Sequence, residues 1–494
     1  MKDIRKNIIC GFGGQLLSMA ISIILPRVII LNFGSETNGI TSAITQIFVY
    51  IALLEAGIGS AALTRLYKDI AENDRERISG TVSAAHKYYR KSLPLYIGSV
   101  VILAGFYPSV IDTTIPAETV RFLILIQGLC GTVNFLFTNA YIQLLTADGR
   151  NYVVSVLSLL VKVVSVCGQL LLIAFGFNIV SVQLSALLAA TLQAVIVNVY
   201  IKKNYPWLIL DRGADVSKLS QRRAFLVHEI SGVVFQSTDI VLISVFCSMT
   251  EASVYTVYNM IFSALGNLLS VLMRSLEFKL GAAYHQDMDK YTKMHDFVEA
   301  LYICFVFAVI SAAYVVTIPF IRLYTADVTD ASYVRPMLPL LFSGIQLLSC
   351  GRRVCSQLIS ISGRAKDTIP NTLIEMAINL VVSVVLAKSL GIVGVLLGTI
   401  LALCYRTNDM LFYANRKILN RGPRKVYFTL LVNLFVFAMV VVITGYHSLE
   451  ITNYFAFVIQ GFLILVLSFA LYFGIQIALN GSFRENLRAF LSKN

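Results

Sequence analysis

Long apolar stretches alternate with short polar ones along this chain, and each apolar stretch is about as long as a membrane crossing. Fourteen such segments stand out, at 8–31, 40–63, 93–111, 120–145, 152–175, 179–201, 225–246, 252–276, 297–321, 334–361, 369–390, 392–413, 426–443 and 454–479. A helix needs roughly 20 apolar residues to cross the bilayer core, and it satisfies its own backbone hydrogen bonds without water. The pattern predicts an all-α integral membrane protein with 14 transmembrane helices.

Composition agrees: 57% of the residues are hydrophobic and 14% charged, far from a soluble domain. The net charge of +13 needs no nucleic acid to explain it, because its distribution is topological. Most Lys and Arg fall in the N-terminus, the even-numbered loops and the C-terminus. Only Arg27, Arg121, Arg322, Arg335 and Lys388 lie at or beside the opposite ends. Cytoplasmic loops retain Lys and Arg, so both termini are expected inside a bacterial cytoplasmic membrane. The basic start at Lys2, Arg5 and Lys6 runs into an apolar stretch of full spanning length, which reads as a retained helix and not a cleaved signal.

The outer loops are short, the longest being about 322–333, and leave no room for a catalytic domain. The inner stretches 67–91, 202–223 and 277–296 are longer and polar, yet too small for a nucleotide-binding domain, and no G-x-x-x-x-G-K-[ST] loop occurs. No cofactor is expected, and a transporter fits better than an enzyme. The eight cysteines lie scattered through apolar segments without C-x-x-C spacing; they read as small core side chains, with no metal expected.

An internal repeat is visible. Asp148-Gly149-Arg150 opens helix 5, and Gly363-Arg364 opens helix 11, 214 residues on. The same offset carries the start of helix 1 to just before helix 7, and Gly176 close to Gly391. Six helices per copy leave both copies in the same orientation, a parallel repeat about an axis along the membrane normal. The expected division is an N-lobe (1–205), a cytoplasmic linker (206–224), a C-lobe (225–415), and helices 13 and 14 with a tail (416–494).

Ionisable side chains at membrane depth cost about 2.5–3.5 kcal/mol each on insertion scales, so each implies a partner or a cavity. The clearest are Glu55, Lys162, Asp239, Arg352, Arg353, Glu375, Arg406 and Asp409, with Arg27 and Arg274 nearer helix ends. Arg406 and Asp409, three residues apart, can pair on one helix face, and Arg274 can snorkel. Lys162 is central in its segment, and its counterpart in the second copy falls next to Glu375. Arg352 and Arg353 point about 100° apart on a helix, so at most one can face a narrow cavity. Arg27 follows Pro26, which can bend the first helix and suits a gate. Glu55 precedes Gly57-Ile58-Gly59, where helices can approach closely, and it reads as a counter-charge. Asp239, in Ser237-Thr238-Asp239, offers oxygens suited to a hard cation such as sodium, although three consecutive residues do not face one site. Cations predominate, and Arg recognises phosphate through two bonds at once. Arg27, Lys162, Arg274, Arg352, Arg353 and Arg406 are therefore the candidate anion-binding set. Pro26, Glu55, Glu375 and Asp409 are the candidate gating or counter-charge residues, and Asp239 is the possible cation site.

Several stretches resemble the Wzx-type polysaccharide flippases of the multidrug/oligosaccharidyl-lipid/polysaccharide superfamily, in their Gram-positive capsule and exopolysaccharide branch. They are Leu54-Glu55-Ala56-Gly57-Ile58-Gly59-Ser60-Ala61 with Leu66-Tyr67-Lys68, then Ala147 to Tyr152, Asn204-Tyr205-Pro206, and Ser237-Thr238-Asp239-Ile240-Val241-Leu242-Ile243. The resemblance implies a V-shaped, two-lobed transporter working by alternating access. Its implied cargo is an oligosaccharide on undecaprenyl diphosphate, moved from the inner to the outer leaflet beside a polymerase and glycosyltransferases. The competing expectation is a drug or cation antiporter of the same superfamily, which favours an acidic lumen and twelve helices; a glycan polymerase or ligase is a more distant one.

Overall fold

A computed structural model describes residues 2–55, 58–210, 237–446, 449, 451–481 and 483–484. Of the described residues 87% are helical, with no strand among them. In order the helices are α1 (Lys2–Phe33), α2 (Ser35–Ile51), α3 (Ile58–Ala71), α4 (Arg75–Val110), α5 (Ala117–Phe137), α6 (Asn139–Ala147), α7 (Asn151–Ala174) and α8 (Ile179–Asn204). They continue with α9 (Ser237–Phe246), α10 (Met249–Gln286), α11 (Met288–Tyr324), α12 (Met337–Gly351), α13 (Arg353–Ile361) and α14 (Ile369–Leu390). The last are α15 (Ile392–Tyr413), α16 (Arg424–Tyr446) and α17 (Tyr454–Leu479). The chain forms two compact units, Met1–Ser253 and Val254–Asn494. Part of the expected linker, 211–224, and the first part of expected helix 7 lie outside the described residues.

Among the described residues, ten helices are long and apolar enough to cross a membrane, which makes this a multi-pass membrane protein. The other four expected spans fall into two groups. α1 runs unbroken from Lys2 to Phe33, and of expected helix 7 only Ser237–Phe246 lies within the described residues. Two expected spans are broken: 40–63 into α2, a 3-10 turn at Ala52–Glu55 and α3, and 334–361 into α12 and α13 at Arg352. Expected span 120–145 is also broken, at Thr138, although α5 alone is long enough to cross.

Such breaks free backbone carbonyls in an apolar setting, and a neighbouring helix has to re-satisfy them. At the α5–α6 break the Asn198 side chain of α8 donates to the Phe137 carbonyl at 3.0 Å. Near the α12–α13 break the Thr407 hydroxyl of α15 donates to the Leu348 carbonyl at 3.2 Å. Hydropathy does not register these breaks, because the helix is interrupted without a change in polarity.

Other helices run past their apolar spans. α4 begins at Arg75, not near residue 93, with the Asp74 carboxylate accepting from the Arg77 N–H at 3.0 Å. α11 begins at Met288, where Asp287 accepts from the Asp289 and Lys290 amides at 2.9 and 3.1 Å. These are N-caps, and they start helices inside the polar stretches 67–91 and 277–296 that read as loops.

The first unit packs around Tyr89, Tyr96 and Phe135, with the Tyr96 and Phe135 rings 4.6 Å apart. In the second unit, α17 lies along α11, with Ser311 and Tyr472 sharing a 2.7 Å hydrogen bond and Phe305 meeting Phe469 at 4.9 Å. The opposite faces of α16 and α17 expose Leu431, Phe435, Phe455, Phe462 and Leu467, a surface suited to lipid and not to water. α14 and α15 form a hairpin turned by Gly391, whose φ of 57° suits a residue without Cβ. A side chain at Gly394 would strike the Leu386 carbonyl, and one at Gly398 the Ser383 backbone. Replacing Gly398 with Val should therefore separate these helices and cost about 1–3 kcal/mol. A lowered melting temperature of the detergent-purified protein reports it; unchanged melting would show that the hairpin can yield.

Candidate functional site

Two polar arrangements stand out among the intramembrane charges, one in each unit. In the second unit the site is built where α12 breaks and the α14–α15 hairpin passes it. Two polar contacts hold the hairpin together, Asn379 Nδ2 to Thr399 Oγ1 at 2.9 Å and Ser383 Oγ to the Val395 carbonyl at 3.1 Å. One turn nearer the break, Asn371, Thr372 and Glu375 share a face of α14, and Arg406 and Asp409 project from α15.

Arg352, at the break, donates Nη1 to Glu375 Oε1 at 2.8 Å. The other Glu375 oxygen lies 3.4 Å from Arg406 Nε. Arg406 Nη1 meets Asp409 Oδ2, and its Nη2 donates to Thr372 Oγ1 at 2.9 Å. Asn371 Nδ2 donates to Asp409 Oδ1 at 2.6 Å, and its Oδ1 accepts from the Tyr405 hydroxyl at 3.3 Å. The Arg406 and Glu375 side chains are 3% and 7% exposed, while Arg352 and Asp409 at the rim are 16% and 18% exposed.

Two guanidiniums and two carboxylates make this network formally neutral. Arg352 and Arg406 are therefore compensated, and the cluster is not a bare anion trap. Arg353 turns the other way, toward Cys350 and Tyr302, as expected for consecutive helical residues. Asn371, Thr372 and Tyr405 were not singled out from the sequence. The available signal was Asn371 and Glu375 one turn apart, a polar pair within an apolar helix.

In the first unit, α1 lies against α7 and Lys162 bridges them. Its Nζ donates to Ser18 Oγ at 2.6 Å, Ser22 Oγ at 2.7 Å and the Ser18 carbonyl at 3.0 Å. Among the described residues no carboxylate pairs with it. The half-buried amine is thus held there by neutral oxygens. Ser18 and Ser22, also one turn apart, are the partners that sequence reading passed over.

Arg27 is half-buried further along α1, just after Pro26, which sits within an unbroken helix. Proline at 26 leaves the Ser22 carbonyl without its usual helical donor. Glu55 closes the 3-10 turn, and Arg274 lies within α10; the side chains of both lie outside the described residues. Ser237 and Thr238 are buried on α9 and bond to α2, Ser237 accepting from Gln46 and Thr238 meeting the Tyr50 hydroxyl at 2.5 Å. Asp239 is buried beside them. The Ser237 and Thr238 hydroxyls are thus directed at different neighbours.

The Gly-Arg turns have their own chemistry. Gly149 and Gly363 adopt φ of 73° and 72°. Arg150 pairs with Asp148 at 2.9 Å and lies 5.2 Å from the Tyr205 ring, while the Tyr205 hydroxyl donates to Asp148 at 2.5 Å. Burial, and then the Asp148 carboxylate, push the Tyr205 phenol well above its ordinary range. Arg364 donates to the Lys417 carbonyl at 2.8 Å.

Removing the central carboxylate of the second-unit network should be severe. Glu375→Gln leaves two buried guanidiniums short of charge and is expected to cost about 3–5 kcal/mol. Thermal unfolding in detergent measures it, and a loss under about 1 kcal/mol would mean that the network is hydrated and weak.

No protein-family model matches the sequence, and no curated protein matches it. Solved structures do. A lipid II flippase MurJ structure in an inward closed conformation superposes with a TM-score of 0.71 at 15% identity, over 96% of this chain and 98% of that one. An inward-facing multidrug resistance MATE transporter of the MOP superfamily gives 0.58 at 16%, over 86% and 95%. A mutant of the Vibrio cholerae MATE transporter VcmN gives 0.53 at 13%, over 85% and 98%. The chain has the fold shared by these membrane transporters.

Proposed function

We propose that this protein is a flippase that carries an oligosaccharide on a lipid diphosphate, of the undecaprenyl type, from the inner to the outer leaflet of a bacterial cytoplasmic membrane. The observation that carries the reading is Lys162, a positive charge at membrane depth that neutral oxygens hold and that no carboxylate among the described residues cancels. Such a charge suits a diphosphate and disfavours a cationic drug. Nearly full-length likeness to the MurJ flippase structure supports it, since that likeness spans 96% of the chain. Arg27, further along α1, is proposed to share in head-group attraction. The Arg352–Glu375–Arg406–Asp409 network is proposed to brace the second half, or to open and offer its arginines when the anion arrives.

In this reading the chain crosses the membrane 14 times with both termini inside, as two parallel six-helix repeats plus two helices. Element bounds support the repeat. α6 (Asn139–Ala147) matches α13 (Arg353–Ile361) at both ends with an offset of 214 residues. α4 and α11 end at Val110 and Tyr324, also 214 apart. An inside-negative potential favours outward movement of an anion by roughly 2.3 kcal/mol per charge per 100 mV, so alternating access needs no bound nucleotide. Supply by glycosyltransferases and consumption by a polymerase follow from the same reading. The second reading is a MATE-like drug or cation antiporter, favoured by the MATE superpositions and by the buried Asp239.

Depletion of the protein in its host, with the leaflet of lipid-linked oligosaccharide probed by an impermeant sugar-modifying enzyme, tests the proposal. Inner-leaflet build-up is expected. Build-up accessible from outside would place the block after flipping, and none at all would bring the antiporter forward. Lys162→Met should lower flipping about 10–100-fold, as expected for losing a hydrogen-bonded charge worth roughly 1.5–3 kcal/mol. Protein level should hold, because Ser22 still donates to the Ser18 carbonyl at 2.8 Å. Normal flipping by this variant would remove Lys162 from the mechanism.

A further inference from the structure

A different cluster lies at the polar start of α11. His295 and Glu299 are one turn apart on that helix, and Cys355 comes from α13. One ligand atom of each lies within 4.8 Å of the others. All three are buried, His295 and Cys355 at 0% exposure and Glu299 at 4%. The Cys355 thiol donates to Glu299 Oε1 at 3.1 Å.

His295 is buried against the Tyr291 ring, 5.7 Å away, with its imidazole polar atoms poorly served. Neither imidazole nitrogen has a hydrogen-bond partner among the described residues, and the Asp296 carboxylate lies 3.9 Å from Nδ1. A buried polar group without a partner costs roughly 1–3 kcal/mol, and a buried imidazole beside a thiol and a carboxylate is a donor set awaiting an acceptor of lone pairs. The nearby cations are themselves paired. Asp296 engages Arg421, which also donates to Asn415 at 3.0 Å, and it takes Lys425 at 3.5 Å. A cavity of about 190 Å³ adjoins the cluster, with Glu299, Asp296 and Lys425 among its walls.

We propose that His295, Glu299 and Cys355 form a binding site for a thiophilic divalent metal ion of the zinc class, which clamps α13 to α11. Three protein ligands of N, O and S type, with one position left for water, are within zinc's ordinary repertoire. Binding replaces the Cys355 S–H bond by an S–metal bond and releases that proton to solvent. The ion's two positive charges are then balanced by one thiolate and one carboxylate, so the buried complex is neutral and escapes most of the desolvation penalty of a bare ion. Tetrahedral bonds of about 2.0–2.3 Å hold donor atoms roughly 3.3–3.8 Å apart. Cys355 Sγ and Glu299 Oε1 are already that close at 3.1 Å, and a pair at the 4.8 Å limit would close by about an ångström. The clamp fits in place as well as in chemistry: α13 follows the helix break at Arg352, and a bond from Cys355 to α11 would fix its direction.

The test uses the full chain purified in detergent, stripped with EDTA and dialysed. Titration with Zn²⁺ and elemental analysis should return one equivalent held per chain, and the melting temperature should rise on adding Zn²⁺. Co²⁺ in place of Zn²⁺ should give tetrahedral visible bands and a thiolate-to-cobalt charge-transfer band. Cys355→Ser should abolish that band, and His295→Ala and Glu299→Gln should each weaken binding on the order of 100-fold. Cys304→Ser, which alters a buried cysteine beside Asn433, should keep it. Failure of the wild-type chain to hold Zn²⁺, a cobalt spectrum without a thiolate band, or an unchanged spectrum in Cys355→Ser would each overturn the site. The wild-type arms do not depend on any variant folding.

Discussion

Every backbone N–H and C=O in a bilayer has to be paired without help from water, and the architecture follows from that constraint. It makes the chain helical throughout the described residues, and it decides where helices can stop. The breaks at Thr138 and Arg352 are tolerated because Asn198 and Thr407 reach across from neighbouring helices to carbonyls near them. Each break is followed by a short nine-residue helix, α6 or α13.

The same scarcity of water governs the charges. A lone ion at membrane depth is expensive, and this chain resolves the problem in two ways. In the second unit four side chains cancel, with Glu375 shared between Arg352 and Arg406 and Asp409 held by Asn371. In the first, Lys162 is solvated by three neutral oxygens of α1. One arrangement pairs opposite charges, whereas the other surrounds an amine with two hydroxyls and a carbonyl. Burial alone would have grouped these residues together; their partners separate them.

Much of this was legible in sequence. Apolar length identified the membrane class, the spacing of Arg406 and Asp409 identified their pairing, and the Gly149 and Gly363 motifs marked turns that both take positive φ. Other features were not. Hydropathy averages over a window, so it misses a break that leaves composition unchanged, and it starts a helix where apolarity starts and not where Asp74 or Asp287 caps it. Cys355 read as a small apolar side chain, because its neighbours His295 and Glu299 lie about sixty residues away in sequence.

Local chemistry belongs to the sequence by itself: helix from continuous apolar runs, turns from glycine, and the number of charges that membrane depth must accommodate. Only the tertiary structure decided which charge meets which. Pairing depends on the rotation and crossing of helices far apart in the chain, and periodicity within one helix carries no information about its neighbour. Glu375 could have met Lys162 or Arg352 on sequence grounds alone; the close α14–α15 approach at Gly394 and Gly398, and the break beside Arg352, gave it to the arginines.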